Sequence, residues 1–279
     1  MELASHCRDG DLAALQAYCT QANVTALQVR EVQALQTACA NGHLEVARWL
    51  QQTFQLTAAD VRSEGNWALR CACDGGHLEV AHWLQQTFQL TDADARADDN
   101  LALCWACENG NLEVARWLQQ TFQLTATDAR SYDNYALRRA CMNGHLEVAR
   151  WLQQTFRLTA ADAQAMSYDA LRGACEYGHL DVLRWLQRTW GIPPVALAAD
   201  RRIPESGACV IYLQSLRALR WSPRTHAEFP LATRRLALLL LLIYQRLTRE
   251  PSEPGEPGAL PSLPPELWQH LLSYLPAWW

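Results

Sequence analysis

No stretch of this chain is both long and apolar enough to cross a bilayer. The longest apolar run, Leu236 to Tyr244, spans nine residues, whereas a membrane-spanning helix needs about 20. It reads as a buried helix segment, and no membrane partner is expected. Met1 to His6 lack a basic segment followed by an apolar one, so no secretory leader is read there, and the expected compartment is the cytoplasm or nucleus. A positive stripe is missing as well. The net charge is −5 and the basic residues are spread out, so a run of phosphates finds no matching surface and nucleic acid is not an expected partner. Nor is there a glycine-rich phosphate loop, a nucleophile elbow or a paired-carboxylate motif. Catalysis has no visible home, the chain reads as non-enzymatic, and no cofactor is expected.

Cysteine is not scarce: there are ten. A chain of 279 residues, 49% of them hydrophobic, buries a core without covalent staples, so the thiols are expected to be free. Its length exceeds the usual single domain and fits either two domains or one elongated array.

The array is legible as a repeated phrase. Asn41-Gly42-His43-Leu44-Glu45-Val46-Ala47-Arg48-Trp49-Leu50 returns from Gly75, Asn109, Asn143 and Tyr177, each copy starting 34 residues after the last. Such a period marks a solenoid, because one unit alone cannot bury its apolar face. Within the second copy Leu78, Ala81 and Leu84 recur every three residues beside Val80, an apolar helical stripe. Gly76 marks the turn into that helix. A preceding helix runs from Asn66 to Cys73, with Asn66, Asn100 and Asn134 placed to cap it by accepting from exposed amides. Between units, Thr57 to Asp60, Thr91 to Asp94, Thr125 to Asp128 and Thr159 to Asp162 read as capping boxes with Asp in the acid's place. A short helical turn is expected there.

The Gly-His-Leu-Glu-Val and Ala-Leu-Arg-x-Ala-Cys runs resemble the ankyrin repeat. Ala68, Ala102 and Ala136 occupy that family's proline slot, and Arg70, Cys104 and Arg138 its histidine slot. The resemblance implies a helix-turn-helix stack that binds protein partners, while the capping boxes replace the family's usual β-hairpin by helix. The array is similar to ankyrin arrays of large DNA viruses and some protists; a viral source would place it in host cytoplasm. The tetratricopeptide signature, which shares the period, is absent. The expected fold is all-α, an α-solenoid of ankyrin-type repeats with a short C-terminal helical tail. Residues 1–21 are read as a degenerate capping repeat, 22–191 as five repeats, 192–221 as a degenerate repeat, 222–250 as an apolar helix, 251–262 as a Pro/Gly linker and 263–279 as a tail helix.

Cys71, Cys73 and His77, or Cys104 and Cys107, resemble metal-ligand spacings in isolation. Inside the repeat, Cys39, Cys73, Cys107, Cys141 and Cys175 recur at the period and read as small core fillers. Helices about 8–10 Å apart cannot offer equivalent thiols to one zinc, whose bonds to sulfur are about 2.3 Å. His43, His77, His145 and His179 share a slot with Asn111, which points to hydrogen bonding within the turn instead of proton transfer. Trp49, Trp83, Trp117, Trp151 and Trp185 form a ladder read as inter-repeat packing.

Differences among copies within one chain single out a candidate partner face. The second helix barely changes, whereas Glu64, Trp67, Arg70 and Cys71 become Asp98, Leu101, Cys104 and Trp105, then Tyr132, Tyr135, Arg138 and Arg139, then Met166, Asp169, Arg172 and Gly173. The ankyrin resemblance places these positions on the concave face and finger tips. Aromatics and arginine anchor interfaces; drift on a solvated face is the alternative. A protein target and a monomeric chain are expected.

Near the end, Leu263-Pro264-Pro265-Glu266-Leu267-Trp268-Gln269-His270-Leu271-Leu272-Ser273-Tyr274-Leu275 reads as a short amphipathic helix opening at the prolines. It resembles the first helix of an F-box, curtailed at Trp279. The resemblance implies contact with a Skp adaptor of cullin-RING ubiquitin ligases through Leu263, Pro264, Leu267, Trp268, Leu271, Leu272 and Leu275. The other reading is that this helix and the apolar one before it cover the open end of the solenoid.

Overall fold

The computed structural model describes residues 2–31 and 33–191. Among them are 16 helices and no strand. In chain order they are α1 (Glu2–Asp9), α2 (Leu12–Gln21), α3 (Ala26–Glu31), α4 (Ala34–Ala40), α5 (Leu44–Phe54), α6 (Ala58–Asp74), α7 (Leu78–Phe88), α8 (Asp92–Ala95), α9 (Ala97–Glu108), α10 (Leu112–Phe122), α11 (Ala126–Ala129), α12 (Ser131–Met142), α13 (Leu146–Phe156), α14 (Ala160–Ala163), α15 (Ala165–Glu176) and α16 (Leu180–Trp190). The chain up to Val182 forms one compact unit, and α16 crosses its boundary into a second.

The apolar stripes build the unit. Leu50, Leu84, Leu118 and Leu152 on second helices, with Leu69, Leu103, Leu137 and Leu171 on first helices, are wholly buried. Each such leucine contributes on the order of 1.5–3 kcal/mol of transfer free energy. The period-spaced cysteines fill the gaps beside them and are buried as core, as their spacing predicts. First helices α4, α6, α9, α12 and α15 pack closely on one another, whereas second helices α5, α7 and α10 touch more sparsely.

The C-terminal ends of the second helices are defined by side chains as well as backbone. At the C-terminal ends Gln55, Gln89, Gln123 and Arg157 turn left-handed, and Leu56 donates its amide back to the Gln51 carbonyl at 3.1 Å. Leu56, Leu90, Leu124 and Leu158 then bury against the helix, the apolar partner of a left-handed helix stop. The next turn opens with the expected capping box: Asp94 accepts from the Thr91 amide at 2.7 Å and the Thr91 hydroxyl at 2.9 Å. The same arrangement recurs at Thr57, Thr125 and Thr159. Helix replaces the β-hairpin in these connections, as the capping boxes imply.

Asn66, Asn100 and Asn134 behave differently from the expectation. They are buried at positive φ, and their Oδ1 atoms accept no hydrogen bond, so they are not helix caps. Asn100 instead donates through Nδ2 to Ser131 Oγ at 2.8 Å. These residues end a left-handed turn, a conformation Asn and Asp adopt more readily than other side chains with a Cβ.

Candidate interaction surface

Each finger tip is a run of left-handed residues that interrupts a first helix: Glu64-Gly65-Asn66 in α6, Asp98-Asp99-Asn100 in α9 and Tyr132-Asp133-Asn134 in α12, with Met166 and Tyr168 at the same positions of α15. The turn closes when Asn100 donates its amide to the Arg96 carbonyl at 3.2 Å, Asn134 to Arg130 at 3.1 Å and Tyr168 to Gln164 at 3.1 Å. A non-glycine residue in this region costs about 1–2 kcal/mol, less for Asn and Asp. The first residue of each turn projects outward: Glu64 and Asp98 are exposed, Tyr132 is 49% exposed and Met166 57%. The tips thus run from acidic to apolar along the array.

Arginines hold these turns from behind. Arg138 donates to the carbonyls of Asp133 at 2.9 Å and Tyr132 at 3.0 Å, and to Asp169 Oδ2 of the following copy at 2.7 Å. Arg70 repeats the pattern, donating to the Glu64 carbonyl and to Asp98. Its guanidinium lies 4.9 Å from the Trp67 ring and 5.3 Å from Trp105, whose rings meet edge to face 5.5 Å apart. Arg172 pairs with Asp169. Arg70 and Arg172 are buried, so both belong to the frame beneath the tips. Trp67, Leu101, Trp105, Tyr135 and Arg139 are half-buried on the first-helix face. Tyr135 donates to Glu108 at 2.9 Å with Arg139 4.9 Å from its ring. The structure therefore joins Trp67, Arg70 and Trp105 in one cluster and Tyr135, Arg138 and Arg139 in another.

Two features escaped the sequence reading. Asp99 and Asp133, exposed beside the tip residues, carry charge that no ion pair among the described residues neutralises; Tyr132 reaches Asp99 with its hydroxyl. The second is a ladder of forks. Arg62 grips both oxygens of Asp94 at 2.8 and 3.2 Å, Arg96 those of Asp128 at 2.9 and 3.3 Å, Arg130 those of Asp162 at 2.7 and 3.1 Å, and Arg30 engages Asp60 in the same way. Arg62, Arg96 and Arg130 recur every 34 residues, a signal the sequence contains. For Asp60 the Arg30 hydrogen bond holds the carboxyl down to about 2. At Asp94 burial pushes upward, but Arg62 and the Thr91 amide and hydroxyl outweigh it and keep the carboxyl at about 2.

The histidines bond between repeats, not within their own turn. His43 Nε2 lies 2.7 Å from the Arg8 carbonyl and His77 Nε2 3.0 Å from that of Ala40, while Asn111 donates to the Cys73 and Asp74 carbonyls at 3.0 and 2.7 Å. An amide suffices because the partner is a carbonyl. The tryptophans likewise pair inside their own helix: Trp49, Trp83, Trp117 and Trp151 meet Phe54, Phe88, Phe122 and Phe156 edge to face at 5.4–5.6 Å. One contact between repeats does occur, His82 against Trp117 at 5.0 Å. Burial raises the thiols, Cys71 and Cys104 to about 12. Among the described residues no cluster of three or more His, Cys, Asp or Glu side chains could hold a metal, and no helix is long and apolar enough to cross a membrane. The readings of residues 192–221, 222–250 and 251–262, and the F-box-like Leu263, Pro264, Leu267, Trp268, Leu271, Leu272 and Leu275, lie outside the described residues.

Among solved structures, the human ASB11 ankyrin repeat domain is similar at a TM-score of 0.54 and 18% identity, covering 80% of this chain and 100% of that one. An ankyrin repeat family protein from Legionella pneumophila has a TM-score of 0.40 and 20% identity, over 79% of this chain and 71% of that one. No curated protein matches by sequence. The family model for ankyrin repeats matches in three copies, at residues 3–99, 85–162 and 103–194. With helix pairs stacked at a period of 34 over the same residues, the chain belongs to the ankyrin repeat family, whose repeats are protein-protein interaction modules.

Proposed function

We propose that this non-enzymatic chain holds a protein target along the finger tips and the first-helix row. Glu64, Asp98, Tyr132 and Met166 touch the target first, and Trp67, Leu101, Trp105, Tyr135 and Arg139 form the floor. Arg70, Arg138 and Arg172 set the shape of that floor. The observation that carries the reading is the exposure of Tyr132 and Met166 in left-handed backbone. Large apolar side chains at strained, solvated positions are costly for folding alone.

The tail extends the proposal. Leu263 to Leu275 recruits a Skp adaptor and cullin inside a cell, in the cytoplasm or nucleus, and brings the target to a ubiquitin ligase; the motif itself supports this. Affinity capture with the full chain, with residues 263–279 removed, and with Tyr132→Ala plus Met166→Ala separates the two parts. Loss of adaptor and cullin only in the shortened chain supports recruitment. Their absence from every sample leaves a plain ankyrin scaffold whose C-terminal helices cap the array. A target retained by the double variant at undiminished yield removes the tip reading.

A further inference from the structure

None of these 279 residues is lysine: all 24 positions counted as lysine or arginine are arginine, although lysine is among the commonest residues of soluble domains. Geometry accounts for part of this. Arg62, Arg96 and Arg130 each grip both oxygens of an aspartate. Arg138 spans two carbonyls and a carboxylate. An ammonium has no planar fork for either task.

At four other sites geometry gives no such reason. Arg48, Arg116 and Arg157 are exposed, and no hydrogen bond or ion pair to another described residue holds their guanidinium groups. Arg150 meets Glu147 through one nitrogen at 3.1 Å while 46% exposed. Lysine would serve the fold equally at these four sites.

The difference between the two cations is chemical. In ubiquitin-type conjugation the modifier's C-terminal carbonyl arrives as a thioester on a carrier cysteine. A neutral lysine amine attacks that carbon, the C–N bond forms, the C–S bond breaks, and the departing sulfur takes up the proton the amine loses. A guanidinium stays protonated throughout the pH range of proteins and has no electron pair to offer. Thiols are the other ready acceptors, but the nine cysteines among the described residues are buried. Burial also keeps thiols such as Cys71 and Cys104 protonated.

We propose that this lysine-free surface leaves the chain unmodified by the ligase it recruits, so that conjugation falls on the lysines of the bound target; the inference rests on the recruitment reading of the tail. A lysine-bearing target also matches the sign of the tips, where Glu64, Asp99 and Asp133 are exposed. The array then survives successive targets.

The test compares the full chain with a variant carrying Arg48→Lys, Arg116→Lys and Arg150→Lys. Each is incubated with ubiquitin, its activating and carrier enzymes, a Skp adaptor–cullin–RING complex and ATP, and adaptor retention is measured in parallel. The expected result is adaptor bound to both, ubiquitin ladders on the variant, none on the native chain, and loss of the ladders when residues 263–279 are removed. Equal ladders on the native chain, carried by hydroxyl, thiol or terminal amine, overturn the proposal. Adaptor bound to both with the variant still unmodified also overturns it while recruitment stands. Adaptor bound to neither overturns recruitment itself and the inference with it.

Discussion

Arg96 donates from Nε to Asp128 Oδ1 at 2.9 Å across a repeat boundary, while Asp128 closes the capping box of its own repeat with the Thr125 amide at 2.7 Å. One carboxylate thus serves both the start of a helical turn and the joint between neighbouring repeats. In a solenoid, stability is set by such nearest-neighbour terms, and here they run as a ladder from Arg30 to Asp162.

The ladder makes the array acid-labile. Asp60 and Asp94 sit at about 2 in the folded chain, and Asp128 and Asp162 are also lowered. Their folded values lie below the unfolded value of about 3.9, so their stabilisation is complete above that pH and is lost as pH falls toward 2. Solvent around the half-exposed arginines limits each of the Arg62, Arg96 and Arg130 rungs to about 1 kcal/mol. Urea unfolding followed by circular dichroism is expected to show a midpoint that falls between pH 5 and pH 2.5, by less in Arg96→Gln. A midpoint independent of pH in both chains would count against the ladder.

Arg138 cannot be exchanged for lysine without cost. Its three groups of partners need several donors in one plane, and a lysine retains the charge but not the fork. Arg138→Lys is expected to lower stability by about 1–2 kcal/mol. Amide exchange at residues 131–134 should speed up more than in α13. Uniform acceleration throughout the unit would mean that the side chain does not act as a turn clamp.

The joint between neighbouring turns gives a sharper test. Gly110 has φ +77, and a Cβ there would lie 2.5 Å from His145 Nδ1; the His145 ring is fixed by its bond to the Glu108 carbonyl. Gly110→Ala is expected to cost more than the about 1–2 kcal/mol of left-handed strain alone. Adding His145→Ala should remove the collision but not the strain, so the double variant should lose less than the sum of the single losses. Simple additivity in thermal unfolding would show that the two residues do not meet.

The period and its apolar stripe were enough to read the helix pairs, because Leu84 and Val80 must be buried wherever the helix lies, and the spacing of Cys73 and Cys107 placed both thiols in the core. The Thr91 and Asp94 pair likewise announced a helical turn, since both partners lie within one turn of chain. Asn66, Asn100 and Asn134 were misread because a polar residue before a helix serves equally as a cap or as the end of a left-handed turn, and only the backbone decides. Arg70 and Arg172 were read as contact residues for a similar reason: variation marks them, but burial depends on the next repeat. The Arg62–Asp94 fork joins residues of neighbouring repeats, which no pattern within one repeat reveals, although Arg62, Arg96 and Arg130 keep the period.

Tyr132 and Met166 separate folding from binding. Both hold left-handed backbone at φ 50 with exposed apolar side chains. Glycine adopts that conformation without strain, so Tyr132→Gly should cost no stability overall: relief of about 1 kcal/mol offsets the lost Tyr135 contact and Asp99 hydrogen bond. Target binding should fall at least about tenfold if the ring is an anchor, since a buried aromatic anchor contributes about 2 kcal/mol or more. Met166→Gly should behave the same way. Thermal unfolding and capture of the target, measured on the same preparations, give both quantities. A marked loss of stability with unchanged capture would reverse the assignment, making the tip residues part of the fold and moving the contact surface onto the first-helix floor.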